Sequence, residues 1–315
     1  MPVDDLTAGI FKLRFKALGT ECEVQFRTPS VDAAKEFRAA ALDWIRNFEK
    51  TWSRFIPESL LCRINAGAGR SRIELTPEQE EVVQLCERTY QATDGLVEPT
   101  SFPLTRLWDE AAKADLRPSE DEIDEVLRHV SWSSVEWGNG SVFLPEKGMA
   151  LEIGGFGKEY AVDQILALAK THGLPAALVD LGRDLVTFGE PPHGPFWVVG
   201  VEDARIENAP AIRLAFTDKG LATSGNGRRF RTIGGEKFGH IIDPRTGIPV
   251  RNELLTATCL ADDCLTAGWF STAACILGPK MGLEKIECRF GIEGVLQTTD
   301  TTLYSQNIHR HVIAS

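Results

Sequence analysis

LEIGGFGKEYAVD (residues 151–163) passes from an apolar, strand-like stretch through a glycine-rich turn into an amphipathic helix carrying Ala161, Ile165, Leu168 and Ala169 on one face. Such a turn leaves backbone N–H groups at a helix N-terminus, where an anion can be bound, and Lys158 adds a fixed positive charge beside it. The common nucleotide templates fail here. A P-loop needs glycine where Glu152 stands and Ser or Thr where Glu159 stands, and Gly154, Gly155 and Gly157 miss the dinucleotide-binding spacing. The segment reads equally as a phosphate-binding turn of another kind or as a tight connection whose glycines supply unusual backbone angles.

Outward from this turn, the second half of the chain carries short β-like runs at 176–181, 184–188, 196–202, 211–217, 255–260 and 293–298, with helical patterns at 158–171 and 265–277. Towards the N-terminus, residues 11–27 alternate on both sides of Gly19, as a strand pair or a bent strand. A helix from the N-cap Ser30 presents Phe37, Ala41, Trp44, Ile45 and Phe48 as a stripe. Further helices are expected at 77–92 and 119–130, with a Pro99- and Pro103-containing loop between them, and short strands at 132–137 and 141–144. GEPPHGP (189–195) is the most linker-like stretch, or a wide hairpin. Strands at hairpin spacing with occasional helices give an α+β fold rather than a βαβ repeat.

The chain has 315 residues, 34 Lys plus Arg, 45 Asp plus Glu and a formal net charge of −11, which argues against nucleic acid or an anionic membrane as partner. No apolar run approaches the roughly 20 residues needed to span a bilayer, and residues 1–11 lack a signal-peptide pattern, so the expected location is cytoplasmic. Seven cysteines without a C-x-x-C read as reduced, mostly buried small hydrophobes.

Two other segments could carry chemistry. ATSGNGRRF (222–230) and GHIIDPRTGIPV (239–250) gather His240, Asp243 and Arg245 among turn formers. A histidine oriented by a neighbour serves as a general base at neutral pH, whereas D-P-R-T-G also reads simply as a hairpin turn. TDGLVEPTSFPLTRLW (93–108) reads, taken alone, as a polar loop with Glu98 solvated.

Taken in order, these segments resemble the ApbE family, the FAD:protein FMN transferases. The family's early Gly-Thr is matched by Gly19 and Thr20, and its S-x-F/Y-x-P-x-S with a later Asn by WSRFIPESLLCRIN (52–65). Its T-D-G-x-F-D-x-T with a following Pro-Leu and Trp resembles 93–108, its glycine signature EIGGFGKEYAVD, and its T-S-G and H-I-I/L-D-P-x-T-G boxes Thr223–Gly225 and His240–Gly247.

The resemblance implies a single T-fold-like unit of mixed, largely antiparallel sheets with flanking helices over 15–315, after an N-terminal extension at 1–14. It implies a Mg2+-dependent enzyme that cleaves FAD and transfers FMN to a Thr or Ser of an acceptor protein. By the match, His240 and Lys158 are catalytic, and Leu18, Phe55, Leu96, Val97, Glu98, Glu152, Lys158, Thr223, Ser224, His240 and Ile241 contact FAD. Mg2+ would be held by a backbone carbonyl at Gly155, by Thr272 and by an Asp four residues before it.

The departures define an alternative, a flavin-binding relative that has lost transfer. Gly268 occupies the position of that Asp, and glycine offers a hard cation no side chain. Asp262 and Asp263 stand upstream as possible compensation, and Gly268→Asp is expected to raise metal-dependent activity if metal binding is the lost element. Glu98 and Glu152 replace Asp, while Glu159 and Arg183 replace Gly.

Overall fold

Consecutive strands of the main sheet are neighbours in space, so chain order and sheet order coincide. The computed structural model describes residues 4–6, 10–191, 194–206, 209–227 and 229–313. Among them, nine strands form one sheet: β1 (Asp4–Leu6), β2 (Ile10–Ala17), β3 (Thr20–Arg27), β4 (Ala177–Leu181), β5 (Leu185–Phe188), β6 (Gly220–Gly225), β7 (Leu254–Ala261), β8 (Glu293–Thr298) and β9 (Thr302–Tyr304). Every neighbouring pair is antiparallel. The α+β expectation holds, and β2 runs across the unit boundary expected at residue 15.

Turn chemistry sets the registers. Leu18 and Gly19 both have positive φ (52° and 70°) between the paired Ala17 and Thr20, the two-residue loop that matches strand twist. Gly182 and Arg183 (φ 70° and 77°) reverse the chain between β4 and β5 in the same way.

Helices enter as insertions between strands. Between β3 and β4 come α1 (Val31–Trp52), α2 (Leu60–Ala66), α3 (Pro77–Ala92), α4 (Phe102–Ala114), α5 (Glu120–Leu127) and α6 (Gly157–Thr171), and between β7 and β8 come α7 (Cys264–Leu277) and α8 (Pro279–Glu287). Ser30 caps α1, and capping boxes open α3 and α5. The stripe read for α1 is buried at Phe37, Ala41, Ile45 and Phe48, with Trp44 half-buried.

Strand β7 lies between α7 on one face and a second apolar layer on the other, which explains its unbroken burial from Ala257 to Ala261. Leu185, Leu221, Leu260 and Val295 pack against Val201, Ile212, Leu214 and Phe216 of a small antiparallel sheet (Trp197–Glu202, Pro210–Phe216, Val312–Ile313). Ala222, Cys259, Ala261 and Leu296 belong to the large core under the helices. Helix α7 is buried nearly all round and packs on α6, β6 and β7.

Two sequence expectations change, and helix α2 has no counterpart in the sequence reading. The 93–108 segment is not all loop, because α4 starts at Phe102 with Pro103 in its first turn, where proline removes only an N–H that has no helical partner. A short helix, α2, follows the cap Ser59. The strand-like 151–153 pairs with no strand; the amide of Asn65 accepts from Leu151 N–H (2.7 Å) and donates to Leu151 C=O (2.9 Å), holding it extended in place of a partner. Within GEPPHGP, residues 192–193 lie outside the described residues; the stretch links β5 to the small sheet.

Candidate active site

A cleft of about 1270 Å³ opens over the N-terminus of α6 and the ends of β6 and β7. Its lining includes the residues to which the family resemblance gave a catalytic, FAD-contacting or metal role, Leu18, Phe55, Leu96, Val97, Glu98, Glu152, Gly155, Lys158, Thr223, Ser224, His240, Ile241 and Thr272, but not Asp243, Arg245, Asp262 or Asp263. The glycines allow close approach here. A Cβ on Gly155 would sit 2.9 Å from Val97 Cγ1, so the turn and the 96–98 loop lie in contact.

Lys158, in the first turn of α6, is paired with Asp184. That carboxylate is 2% exposed and also accepts from Thr223 N–H (3.0 Å), so one buried acid fixes both the lysine and the edge of β6. The hydroxyls of Thr223 and Thr258 are 2.9 Å apart, and Ser224 Oγ lies 2.8 Å from Ser271 Oγ and 2.9 Å from Thr272 Oγ1. These contacts stitch β6 to β7 and α7 through hydroxyl groups.

His240 is positioned by the chain around it. Its N–H donates to the Arg229 carbonyl (3.1 Å), and Asn226 Oδ1 accepts from Ile241 N–H (3.3 Å). Its ring Nδ1 lies 3.2 Å from the same Arg229 carbonyl, which selects the tautomer with the proton on Nδ1 and leaves Nε2 as the acceptor. The ring remains accessible from the cleft, yet desolvation by the surrounding walls, with the charges of Arg229, Arg231 and Lys158, holds its pKa below the ordinary histidine value against the opposing pull of that hydrogen bond. The imidazole is therefore neutral at neutral pH, with Nε2 open to accept a proton. Asp243 takes no part, since Arg245 occupies both of its oxygens (2.9 and 2.7 Å). The D-P-R-T-G stretch does form a hairpin turn, between paired Asp243 and Ile248, and Trp108 Nε1 donates to its Gly247 carbonyl (2.8 Å).

Two glutamates of the cleft are committed to the protein. Glu98 accepts from Thr100 N–H (2.8 Å), Thr100 Oγ1 (2.6 Å) and Trp132 N–H (3.3 Å), and burial pushes its pKa up. Glu152 pairs with Arg54 (2.5 Å) and accepts from Thr105 (2.8 Å) and Ser101 (3.3 Å). Their carboxylates shape the wall, and a ligand meets the groups around them. Asp262 and Asp263 do not compensate for Gly268: Asp262 pairs with Lys219 (3.0 Å), and Asp263 caps α7 by accepting from Thr266 N–H (2.6 Å).

Sequence reasoning missed Arg54, Asp184, Arg229 and Arg231. All four lie within segments quoted above or beside them, Arg54 inside WSRFIPESLLCRIN (52–65). Arg54 stacks over Phe55 and Phe102 (5.0 and 5.3 Å to the ring centroids), and Phe55 itself is 81% exposed at the cleft. The cleft wall carries Arg54, Lys158, Arg183, Arg205, Arg229 and Arg231 interleaved with acidic side chains, and Arg54, Lys158, Arg183, Arg205 and Arg231 are ion-paired to Glu152, Asp184, Glu202, Asp203 and Asp109.

Comparison with known proteins agrees with this architecture. The chain is 26% identical over 286 residues to the FAD:protein FMN transferase of Escherichia coli K12, covering 87% of this chain and 80% of the relative. The transferase of Treponema pallidum is 28% identical over 284 residues (83% and 77% covered). Among solved structures, the ApbE protein of Thermotoga maritima superposes with a TM-score of 0.87 at 24% identity, covering 97% of this chain and all of that one. The apo flavinyl transferase ApbE of Pseudomonas stutzeri gives 0.84 at 22% identity (97% and 98% covered). The ApbE family profile matches residues 18–296, and with a fold shared nearly end to end, this chain belongs to the ApbE family.

Proposed function

We propose that this protein is an FAD:protein FMN transferase: the cleft binds FAD, and the FMN half is transferred to a Thr or Ser hydroxyl of an acceptor protein. The observation that carries this reading is convergence. Residues from Leu18 to Thr272, chosen from separate segments, line one cleft whose volume exceeds the roughly 300–1,000 Å³ of ordinary small-molecule pockets.

The chemistry follows from the side chains. His240 Nε2 takes the proton of the acceptor hydroxyl, whose oxygen attacks the phosphorus of the FMN half. The bond from that phosphorus to the bridging oxygen breaks, and AMP leaves with it. Lys158, held by Asp184 at the N-terminus of α6, would meet the diphosphate and offset its charge. Phe55 and Arg54 offer a stacking surface for an aromatic ring.

The fit of a divalent cation turns on one buried atom. Among the described residues no group of three or more His, Cys, Asp or Glu could hold a metal. The cleft instead offers the Thr272 hydroxyl, backbone oxygen at Gly155 and the buried carboxylate of Glu159, whose Oε2 has no hydrogen-bond partner. One carboxylate with neutral oxygens and substrate phosphates is a donor set that suits Mg2+. When bound, Mg2+ neutralises charge developing on the diphosphate.

No described helix is long and apolar enough to cross a membrane. We place the protein in the cytoplasm, a reading supported by seven free thiols, five of them buried.

The test is mass spectrometry of an acceptor domain carrying a flavinylation-type Thr, incubated with this protein, FAD and Mg2+. The expected result is a gain of one FMN unit that EDTA abolishes. His240→Ala should lower the rate by about 10²–10⁴-fold while FAD still quenches on binding. FAD recovered intact with two different acceptors would favour the flavin-binding alternative.

A further inference from the structure

We propose that Glu159 supplies the carboxylate of the cation site, acid and glycine having exchanged places between α6 and α7. This rests on the transferase reading above and names a ligand that the sequence match lacks. A Cβ built on Gly268 would lie 2.6 Å from Glu159 Cγ, 3.1 Å from its Cδ and 3.3 Å from Oε1. The carboxyl of Glu159 thus fills the space in which a side chain at 268 would begin. Thr272 lies one turn further along α7, on the same face, and Glu159, Thr272 and Gly155 line the same cleft.

The environment of Glu159 asks for a cation. The residue is 9% exposed, and Oε2 is buried without a hydrogen-bond partner. A buried carboxylate in that state carries a desolvation penalty that a positive partner or a proton relieves, and the charges of Lys158 and Arg229 offset it only in part. The other acids nearby are satisfied: Asp163 accepts from the N–H groups of Cys264 (3.0 Å) and Leu265 (2.9 Å), and Asp262 and Asp263 are engaged as described. Glu159 is the acid at this seam with an oxygen to give. Its extra methylene relative to Asp, and its origin on α6 rather than α7, carry the charge to the seam from the opposite side.

The experiment titrates Mn2+, as a paramagnetic probe, into the full chain with and without FAD and follows free Mn2+ by electron paramagnetic resonance. The proteins are wild type, Glu159→Gln and the exchange variant Glu159→Gly with Gly268→Asp. Circular dichroism verifies folding, and FAD quenching is measured in EDTA. Wild type should bind one Mn2+, Glu159→Gln should weaken it roughly tenfold or more, and the exchange variant should recover most of the loss. Folded Glu159→Gln with wild-type Mn2+ affinity, or a folded exchange variant that recovers nothing, overturns the proposal, as does wild type that binds no Mn2+ in either state. FAD quenching separates the two readings. Quenching with Glu159-independent Mn2+ binding sinks this inference alone, whereas absence of quenching in wild type sinks the flavin reading and leaves the cation result to stand by itself.

Discussion

Glu152 and Glu159 flank one turn of the same cleft, yet they inhabit opposite electrostatic regions. On the loop wall, Glu152 is surrounded by Arg54, Ser101 and Thr105, and its charge is spent holding α4 and the 52–55 segment together. At the α6–α7 seam, Glu159 is buried against a glycine with an oxygen left over. A carboxylate whose lone pairs are filled by the protein is architecture. One whose lone pairs are left open in a buried place is available to a ligand. Residue type and cleft membership are shared by both, so the hydrogen-bond account distinguishes them.

The largest expected effect breaks the seam. Gly268→Asp brings a second acid and a clashing Cβ against Glu159, and should lower stability by about 2–4 kcal/mol in thermal denaturation, from overpacking and buried like charge. If Glu159 supplies the carboxylate, this substitution should raise metal-dependent activity only when Glu159 is removed with it.

Opposite signs at the two glutamates come next. Arg54→Ala leaves Glu152 partly buried without its cation and should cost about 1–2 kcal/mol, after allowance for the partial exposure of the pair. Glu159→Gln in cation-free buffer removes an uncompensated buried charge and should be neutral or stabilising by up to about 1 kcal/mol. Urea unfolding of both variants in EDTA measures the contrast.

The pH dependence sharpens it further. Desolvation, with Asp263 and Glu159 nearby, pushes Asp163 up to about 7, and burial also raises Glu159. A folded pKa above the unfolded value means that the native state holds more protons between roughly pH 4 and 7, so stability falls as pH rises through that window. The Tm of the cation-free protein should therefore drop by a few degrees between pH 6 and 8.5, and by less in Glu159→Gln. A Tm that rises over this range would remove the seam's buried acids from the account.

The smallest effect lies at Arg183, held at φ 77° and paired with Glu202 (2.7 Å). Arg183→Gly relieves left-handed strain of order 1 kcal/mol but gives up an exposed ion pair and adds unfolded-state entropy, so its net change should stay within about 1 kcal/mol by calorimetry.

Much of the frame was legible in sequence because local patterns decide it. The helix at 77–92, the α1 stripe and the 293–298 strand coincide with what periodicity and caps predict. Where a distant group decides, local reading stops. Residues 151–153 have a strand's composition, but the Asn65 amide supplies their pairing, and Pro103 reads as a breaker although it opens α4. The cleft residues were legible as ordered short boxes. The relation of Glu159 to Gly268 was not, since it exists only where two helices touch, and each departure taken singly looks like a loss.

The sheet that carries all of this also dictates when it can form. Cys22 lies opposite Leu181, with six helices threaded between those two strands. During synthesis the hairpin of β2 and β3 is complete early, but its inner edge stays open until the β4–β5 hairpin has left the ribosome. That delay exposes a twisted, half-apolar strand edge to other nascent chains. The rate-limiting event of maturation is therefore expected to be closure of this long loop, and a holding chaperone that shields residues 20–27 should raise the yield of active protein more than one acting on the C-terminal strands.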